Sequence, residues 1–475
     1  MLRIIIRHQW LLLLRDRRAR WGGLVLAAIT LTAFVAGTVR TERQAAERAR
    51  AAAENASIWD RQGVVDPHGA AHFGHFVFKP VSPLAALDPG TDDHLGTMVR
   101  LEAHRQHAAS ALSDGTGAAL ASFPAVSPAF AFQVFAPVLL ILVVFGTFAG
   151  EGPRQILRQE LAGGVPPGVL LAGRFLAYAA GVGGLLLLGG VGGAVWLALD
   201  RAPAAEFMRL GLWLAGYGFY LVAIIALALG ISARCRSAPI ALVSLLAFWA
   251  LSILVVPRLA PSVAAGLYPL PSAPELDLEA GDDVALRIDR GQPTQTRPER
   301  LRKLAMEKYG IARIEDLPVN LSGFLLEYAE EQSTAAYREH FAAVYRRYAQ
   351  QDAAQLWFAW LSPLPALRAW SSAMAGTDVA HHRHFLEAAE IYRHAFVQAL
   401  NRDILQNRPA GGSNTVAYKA EVAKITAGLG SFAPSAVSLA DVWARAWPGL
   451  AVLGAWTVVM TMFAARAARK LAQLT

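Results

Sequence analysis

Uncharged apolar runs alternate with charged stretches along the chain. One covers Trp21 to Val39, and others lie near residues 129–150, 175–199, 210–233, 237–256 and 446–465. About 20 helical residues, rising 1.5 Å each, cover a hydrocarbon core of roughly 30 Å. Each run therefore predicts a membrane-crossing helix, and the expected fold class is an all-α polytopic membrane protein with about six transmembrane helices.

The stretches between the runs set the expected organisation. Residues 1–20 mix Trp10 and a leucine run with Arg3, Arg7, Arg15, Arg17 and Arg18. That run is too charged to span, so it predicts an interfacial elbow helix whose apolar side sinks to the acyl boundary while the arginines reach lipid phosphates. Its arginines also interrupt the apolar core that a cleavable leader would need. The spans are then expected at 21–40, 129–150, 169–199, 210–233, 237–257 and 446–466, with Pro257 and Arg258 ending the fifth. A polar insertion at 41–128 starts with a helical Ala/Glu/Arg stretch up to Glu54 and continues with Pro/Gly punctuation. A second insertion at 258–445 carries helical patterns near 298–309, 325–350 and 381–405, so this domain is expected to be mainly helical. A short loop at 151–168 and a tail at 467–475 complete the order.

Lysine and arginine asymmetry across the short loops fixes the expected orientation. Arginines precede the first span, Arg234 and Arg236 lie between the fourth and fifth, and Arg466, Arg469 and Lys470 follow the sixth. Both termini are expected in the cytoplasm, both insertions outside, and the chain in a bacterial cytoplasmic (inner) membrane. Composition agrees: 55% of the 475 residues are hydrophobic and 17% charged. The net charge of +8 gathers beside apolar runs and forms no aromatic-interleaved basic face, so anionic lipid is the expected partner and nucleic acid is not. Cys235 is the only cysteine, which excludes an intrachain disulfide and a thiolate metal cluster.

The segment Gly146 to Ala177 begins in an apolar span, gives a charged helix, breaks at Gly163 to Pro167, and re-enters the membrane. Glu151, Arg154, Arg158 and Glu160 are its candidate contacts to a soluble partner. In the third span, Gly189 and Gly193 form a GxxxG pair that predicts a packing seam against another helix or subunit. No strand precedes these glycines, which argues against a nucleotide loop.

This order of features resembles the type 2 ABC exporter permeases, in which an interfacial elbow precedes the first span and a charged helix after the second span couples to the ATPase. The resemblance runs through Glu151, RQILRQEL (Arg154 to Leu161) and LLAGRFL (Leu170 to Leu176). Gly152 and Pro153 stand where the family usually has a second glutamate. A subgroup with large insertions after the first and fifth spans is matched further by RHQWLLLLRDRR, DPHGAAHFGHFVFKPVSPL, LGTMVRLEAHRQH, WLSPLPALRAW and AGTDVAHHRHF. The resemblance implies a dimer of separate ABC ATPase subunits that carries ATP and magnesium, and a second permease, identical or paralogous. The chain itself has no GxxxxGK[ST] phosphate loop, so no cofactor is expected to bind it directly.

Histidines cluster in both insertions, His68, His72 and His75 in the first and His381, His382 and His384 in the second. At helical spacing they could converge on copper or zinc, with Asp378 or Glu387 adding an oxygen. The interleaved Phe73, Phe76 and Phe385 favour packing instead, and Tyr328, Tyr337, Phe341, Tyr345 and Tyr348 read as a domain core. No GxSxG, HExxH or paired-carboxylate pattern marks a catalytic site, so the chain is expected to be non-enzymatic. Three functions follow: an export permease, a transmitter of ATP-driven motion to an extracytoplasmic maturation or assembly partner, and a membrane-anchored metal-binding module.

Overall fold

The computed structural model describes residues 1–92, 94–110, 126–289, 297–407 and 418–471. Parts of both insertions and the last residues of the tail lie outside this set.

The chain is mostly helical. Helix α1 (Leu2–Arg15) turns at Asp16 into α2 (Arg17–Asp60), and the Asp16 carboxylate caps α2 by accepting from Arg18 N–H at 2.7 Å. After α3 (Pro67–Phe73) come α4 (Pro128–Val144), α5 (Glu151–Ala162), α6 (Pro167–Leu199), α7 (Ala204–Arg234) and α8 (Ala238–Leu267). Helices α9 (Ala273–Asp289), α10 (Arg297–Tyr309), α11 (Leu321–Trp357), α12 (Leu364–Ala375), α13 (Val379–Gln406) and α14 (Val422–Thr426) follow, before α15 (Leu439–Leu471). Five helices, α2, α6, α7, α8 and α15, are long and apolar enough to cross a membrane, and α4 is a shorter apolar helix. The architecture is that of a polytopic helical membrane protein.

Several boundaries differ from the sequence expectation, and α7 and α15 start at Ala204 and Leu439, ahead of the expected 210 and 446. Helix α2 joins the expected first span and the expected helical Ala/Glu/Arg stretch without a break and runs past Glu54 to Asp60, because Ala, Glu and Arg are good helix formers and no Gly or Pro interrupts them before Gly63. Helix α8 does not end at Pro257 and Arg258 but continues to Leu267. A proline inside a helix lacks an N–H and clashes with the carbonyl four residues back. Here a π-turn at Leu251–Val255 precedes Pro257 and loosens that register. The same device, a π-turn at Ala131–Phe135, precedes Pro137 in α4. Helix α4 itself ends at Val144, short of the expected residue 150.

The fold also contains two small antiparallel sheets where an all-α chain is expected. Strands β2 (His75–Phe78), β3 (Met98–Glu102) and β4 (Arg105–Gln106) form one, with His75 opposite Leu101 and Glu102 opposite Arg105. Strands β1 (Val64–Val65) and β5 (Ala420–Glu421) pair the two insertions directly, Val64 opposite Glu421.

Helix α7 is the central element of the apolar bundle. Of its most apolar window 67% is buried, against 17–22% for the other four long helices. Trp213, Tyr217, Tyr220, Ile225 and Leu229 put its side chains into the largest core, opposite Phe132 and Ile141 of α4 and Leu453 of α15. A second core joins Tyr337, Phe341 and Tyr345 of α11 to Phe385 and Leu386 of α13 and to Val77, Val99 and Leu101 of the sheet, with Tyr348 at its margin. A third seats Trp59, at the far end of α2, on Phe396, Val397 and Leu400 of α13. As one unbroken helix, α2 runs from the apolar bundle to this core in the insertion domain.

Candidate functional site

Helix α5 is held against the bundle by polar locks at both ends. Its entry is fixed by Ser232 of α7, fully buried, whose Oγ accepts from Phe148 N–H at 2.9 Å and Ala149 N–H at 3.2 Å. Gly150 then turns the chain with φ of +103°, a conformation that suits glycine, and donates its N–H to the Arg236 carbonyl at 3.0 Å. At the far end the Arg174 guanidinium, 6% exposed, binds Glu160 at 2.7 Å and lies 4.7 Å over the Phe148 ring. Leu157 is buried beneath the helix.

The four expected contact residues therefore separate into two pairs. Glu151 and Arg158 are exposed, together with Gln155, Ile156 and Gln159, and make one outward face. Arg154 and Glu160 turn inward instead, Arg154 donating to the Cys235 carbonyl at 3.3 Å and Glu160 pairing with Arg174. Glu151 occupies the first turn, where a carboxylate complements the helix dipole. Ile156, 52% exposed, adds an apolar side chain at the edge of this otherwise polar face.

Helix α1 packs on α6. Ile5 fills the space beside Gly173, and Gln9 donates to the Tyr178 hydroxyl at 3.0 Å. Arg3, Arg7, Trp10, Arg15, Arg17 and Arg18 are all exposed. Gly189 faces the Phe132 ring and Gly193 faces Leu210 and Leu87, so both glycines admit neighbours from within the chain.

At the opposite end of the bundle, α12 is inserted between α7 and α15. Trp370, completely buried, donates its indole N–H to the Leu212 carbonyl at 2.8 Å and lies where a Cβ on Gly216 would stand. Beside this contact a polar chain crosses the junction. The Asp88 carboxylate accepts from Ser371, whose Oγ lies 3.0 Å from the Tyr217 hydroxyl. That hydroxyl accepts from Gln133 at 3.0 Å, and Gln133 in turn accepts from Arg368 at 3.2 Å. Burial raises the Asp88 carboxyl above its ordinary pKa, opposed by the donors from Ser371 and Gly90. The chain links both insertions to α4 and α7.

The histidines regroup. His68 and His72 of α3 lie on one face, their Nε2 atoms 3.1 Å apart. His75 is not with them: its ring stacks on Phe396 at 5.7 Å and its Nδ1 lies 3.0 Å from Asn55 Nδ2. It begins a strand, so it leaves the helical register on which the spacing argument rests. His104, in the turn between β3 and β4 with φ of +63°, takes its place. Burial, then the neighbouring His104 and His72, lowers the His68 pKa.

The second group does not converge. His381 Nδ1 contacts Asp378 at 2.5 Å, His384 Nε2 meets the Ser435 carbonyl at 2.8 Å, and His382 is buried against Phe385. No sequence spacing identified His104, because the Ala103–His104 turn carries none of the Asn-Gly or Gly signals of a two-residue hairpin.

Residues 285–418 match a domain family of unknown function, DUF3526. That segment contains α10 through α13, and so includes the inserted helix α12. No protein of curated function and no solved structure matches the chain.

Proposed function

We propose that this chain is the permease subunit of an ATP-driven exporter of the type 2 ABC class, with ATP and magnesium bound and hydrolysed on a separate ATPase dimer. The observation that carries the reading is the construction of α5. It is a short amphipathic helix locked to α7 and α6 by Ser232, Arg236 and Arg174, and it presents Glu151, Gln155, Ile156, Arg158 and Gln159 outward. A helix fixed in this way passes a push on its exposed face into the bundle and does not absorb it locally. The elbow-like α1 and the order of long apolar helices support the same reading. In it six spans, α4 included, cross a bacterial cytoplasmic membrane with both termini inside and both insertions outside, and a second permease completes the complex. The chain does no chemistry itself.

A second reading, transmission of ATP-driven motion to an extracytoplasmic assembly partner, is favoured by the α12 junction. There Trp370 and the Asp88–Ser371–Tyr217–Gln133 chain tie the insertions to the bundle, so that motion of α7 carries the outer domain with it. Affinity purification of the full chain from the membranes of its own cells tests the shared core of both readings. A stoichiometric ATPase bearing a phosphate loop is expected to copurify, and a chain that is stable and complete without one would contradict it. Substrate uptake into sealed vesicles by the purified complex then favours export over transmission.

A further inference from the structure

The insertion domain holds a group of side chains that the permease reading does not use. His68, His72 and His104 place their ring nitrogens within 4.8 Å of one another, the one such group among the described residues. Local structure builds it. Asp66 caps α3 by accepting from His68 N–H at 3.2 Å and Gly69 N–H at 3.1 Å, which sets His68 and His72 one turn apart on the same face. The β3–β4 turn brings His104 across to them, with ring centroids 5.3 Å from His68 and 5.5 Å from His72.

Polar side chains stand behind two of these imidazoles. His68 Nδ1 lies 3.4 Å from Asn401 Oδ1, and His104 Nδ1 lies 3.2 Å from Glu330 Oε2, which also accepts the His104 backbone N–H at 2.7 Å. Glu330, fully buried, is held in turn by Arg393 and Thr334. An amide behind the His68 ring and a carboxylate near the His104 ring, with the His68 and His72 Nε2 atoms facing each other, is the kind of surrounding that orients histidine metal ligands. The 3.1 Å separation of the His68 and His72 Nε2 atoms is close to the edge of a tetrahedron of ligands about 2.0–2.1 Å from zinc, roughly 3.3 Å. A His68–His72 hydrogen bond alone makes no use of His104, whose ring stands close to both.

We infer that His68, His72 and His104 form a three-histidine site for a divalent transition-metal ion of the zinc type. The fourth position opens at the exposed His72 to water or to an incoming ligand atom. Three protein ligands and one open position describe a site that can exchange a ligand, unlike the closed four-ligand sites that only support a fold. The site is independent of the ATPase reading.

Zinc binding to the full chain in detergent, stripped with chelator and titrated by calorimetry and by metal analysis after desalting, tests it. The expected result is one zinc per chain, with affinity at least 10-fold weaker in His72→Ala and in His104→Ala, and unchanged in His8→Ala on α1. Cobalt substituted for zinc is expected to give the intense visible absorption of a tetrahedral site, lost in the same two variants. His72 is exposed, so its substitution leaves the fold intact, which thermal unfolding of the variant verifies. Absence of stoichiometric zinc in the wild-type chain, or equal binding by His72→Ala, would overturn the inference.

Discussion

The indole of Trp370 lies directly against Gly216, in the notch that the missing side chain leaves on α7. Trp370 belongs to the second insertion and Gly216 to the most buried of the long apolar helices, so this contact is where the insertion is keyed into the bundle. A side chain at residue 216 would have to displace a fully buried ring. Substituting Gly216→Val is expected to cost about 1–3 kcal/mol by overpacking, and Trp370→Ala about 3–5 kcal/mol by leaving a cavity. Thermal unfolding in detergent measures both. Because the two changes act on one contact, their double variant is expected to cost less than the sum.

A second prediction concerns Arg393, 1% exposed, which binds both Glu330 and Glu390. Arg393→Met leaves two buried carboxylates without their cation, a loss of about 3–5 kcal/mol. Limited proteolysis should then cut the insertion domain at protease concentrations that spare the wild type.

Protons provide a third. Burial, with Lys79 adding to it, lowers His382 to about 4 from 6.5. Between these values the unfolded chain binds a proton that the folded chain does not, so stability falls as pH drops from about 6.5 toward 4 and levels off below. Burial pushes Glu330 upward, but the donors from His104 and Arg393 outweigh it and hold the carboxyl at about 2, so its contribution is lost only below about 4.5. The His382 share of the fall in stability across pH 4.5–7 is expected to be about 2 kcal/mol, so unfolding midpoints should decline less steeply in His382→Gln than in the wild type.

Much of the architecture was legible because lipid imposes a length and a polarity on each helix, and Trp21 to Val39 or Phe175 to Leu199 announce themselves by that rule alone. The start of α5 at Glu151 and its break at Gly163 were also readable from local residue types. Other features depend on partners distant in sequence. That Glu160 turns inward is decided by Arg174, and that Arg154 does so is decided by a backbone carbonyl at Cys235. Nothing in an isolated charged helix distinguishes these from Glu151 and Arg158. His104 was missed because a hairpin brought it to α3, and His75 was misplaced because a helical spacing was extended into a strand. Helix α12 left a trace, since the 12 residues from Leu364 to Ala375 carry one charge and are too short to span, which describes a helix buried against other helices.

A fourth prediction separates the two faces of α5. Glu160→Gln takes the carboxylate from the buried Arg174 and is expected to lower the unfolding temperature of the chain. Ile156→Asp combined with Arg158→Glu touches only exposed positions and should leave the stability within about 0.5 kcal/mol of the wild type.

The copurification ratio of ATPase to permease, measured from native membranes for the wild type and for Ile156→Asp/Arg158→Glu, tests the central claim most directly. The coupling reading predicts a fixed ratio in the wild type and a fall of at least 10-fold in a variant that remains folded. An unchanged ratio in that variant, or a wild-type chain that brings down no ATPase, would contradict it.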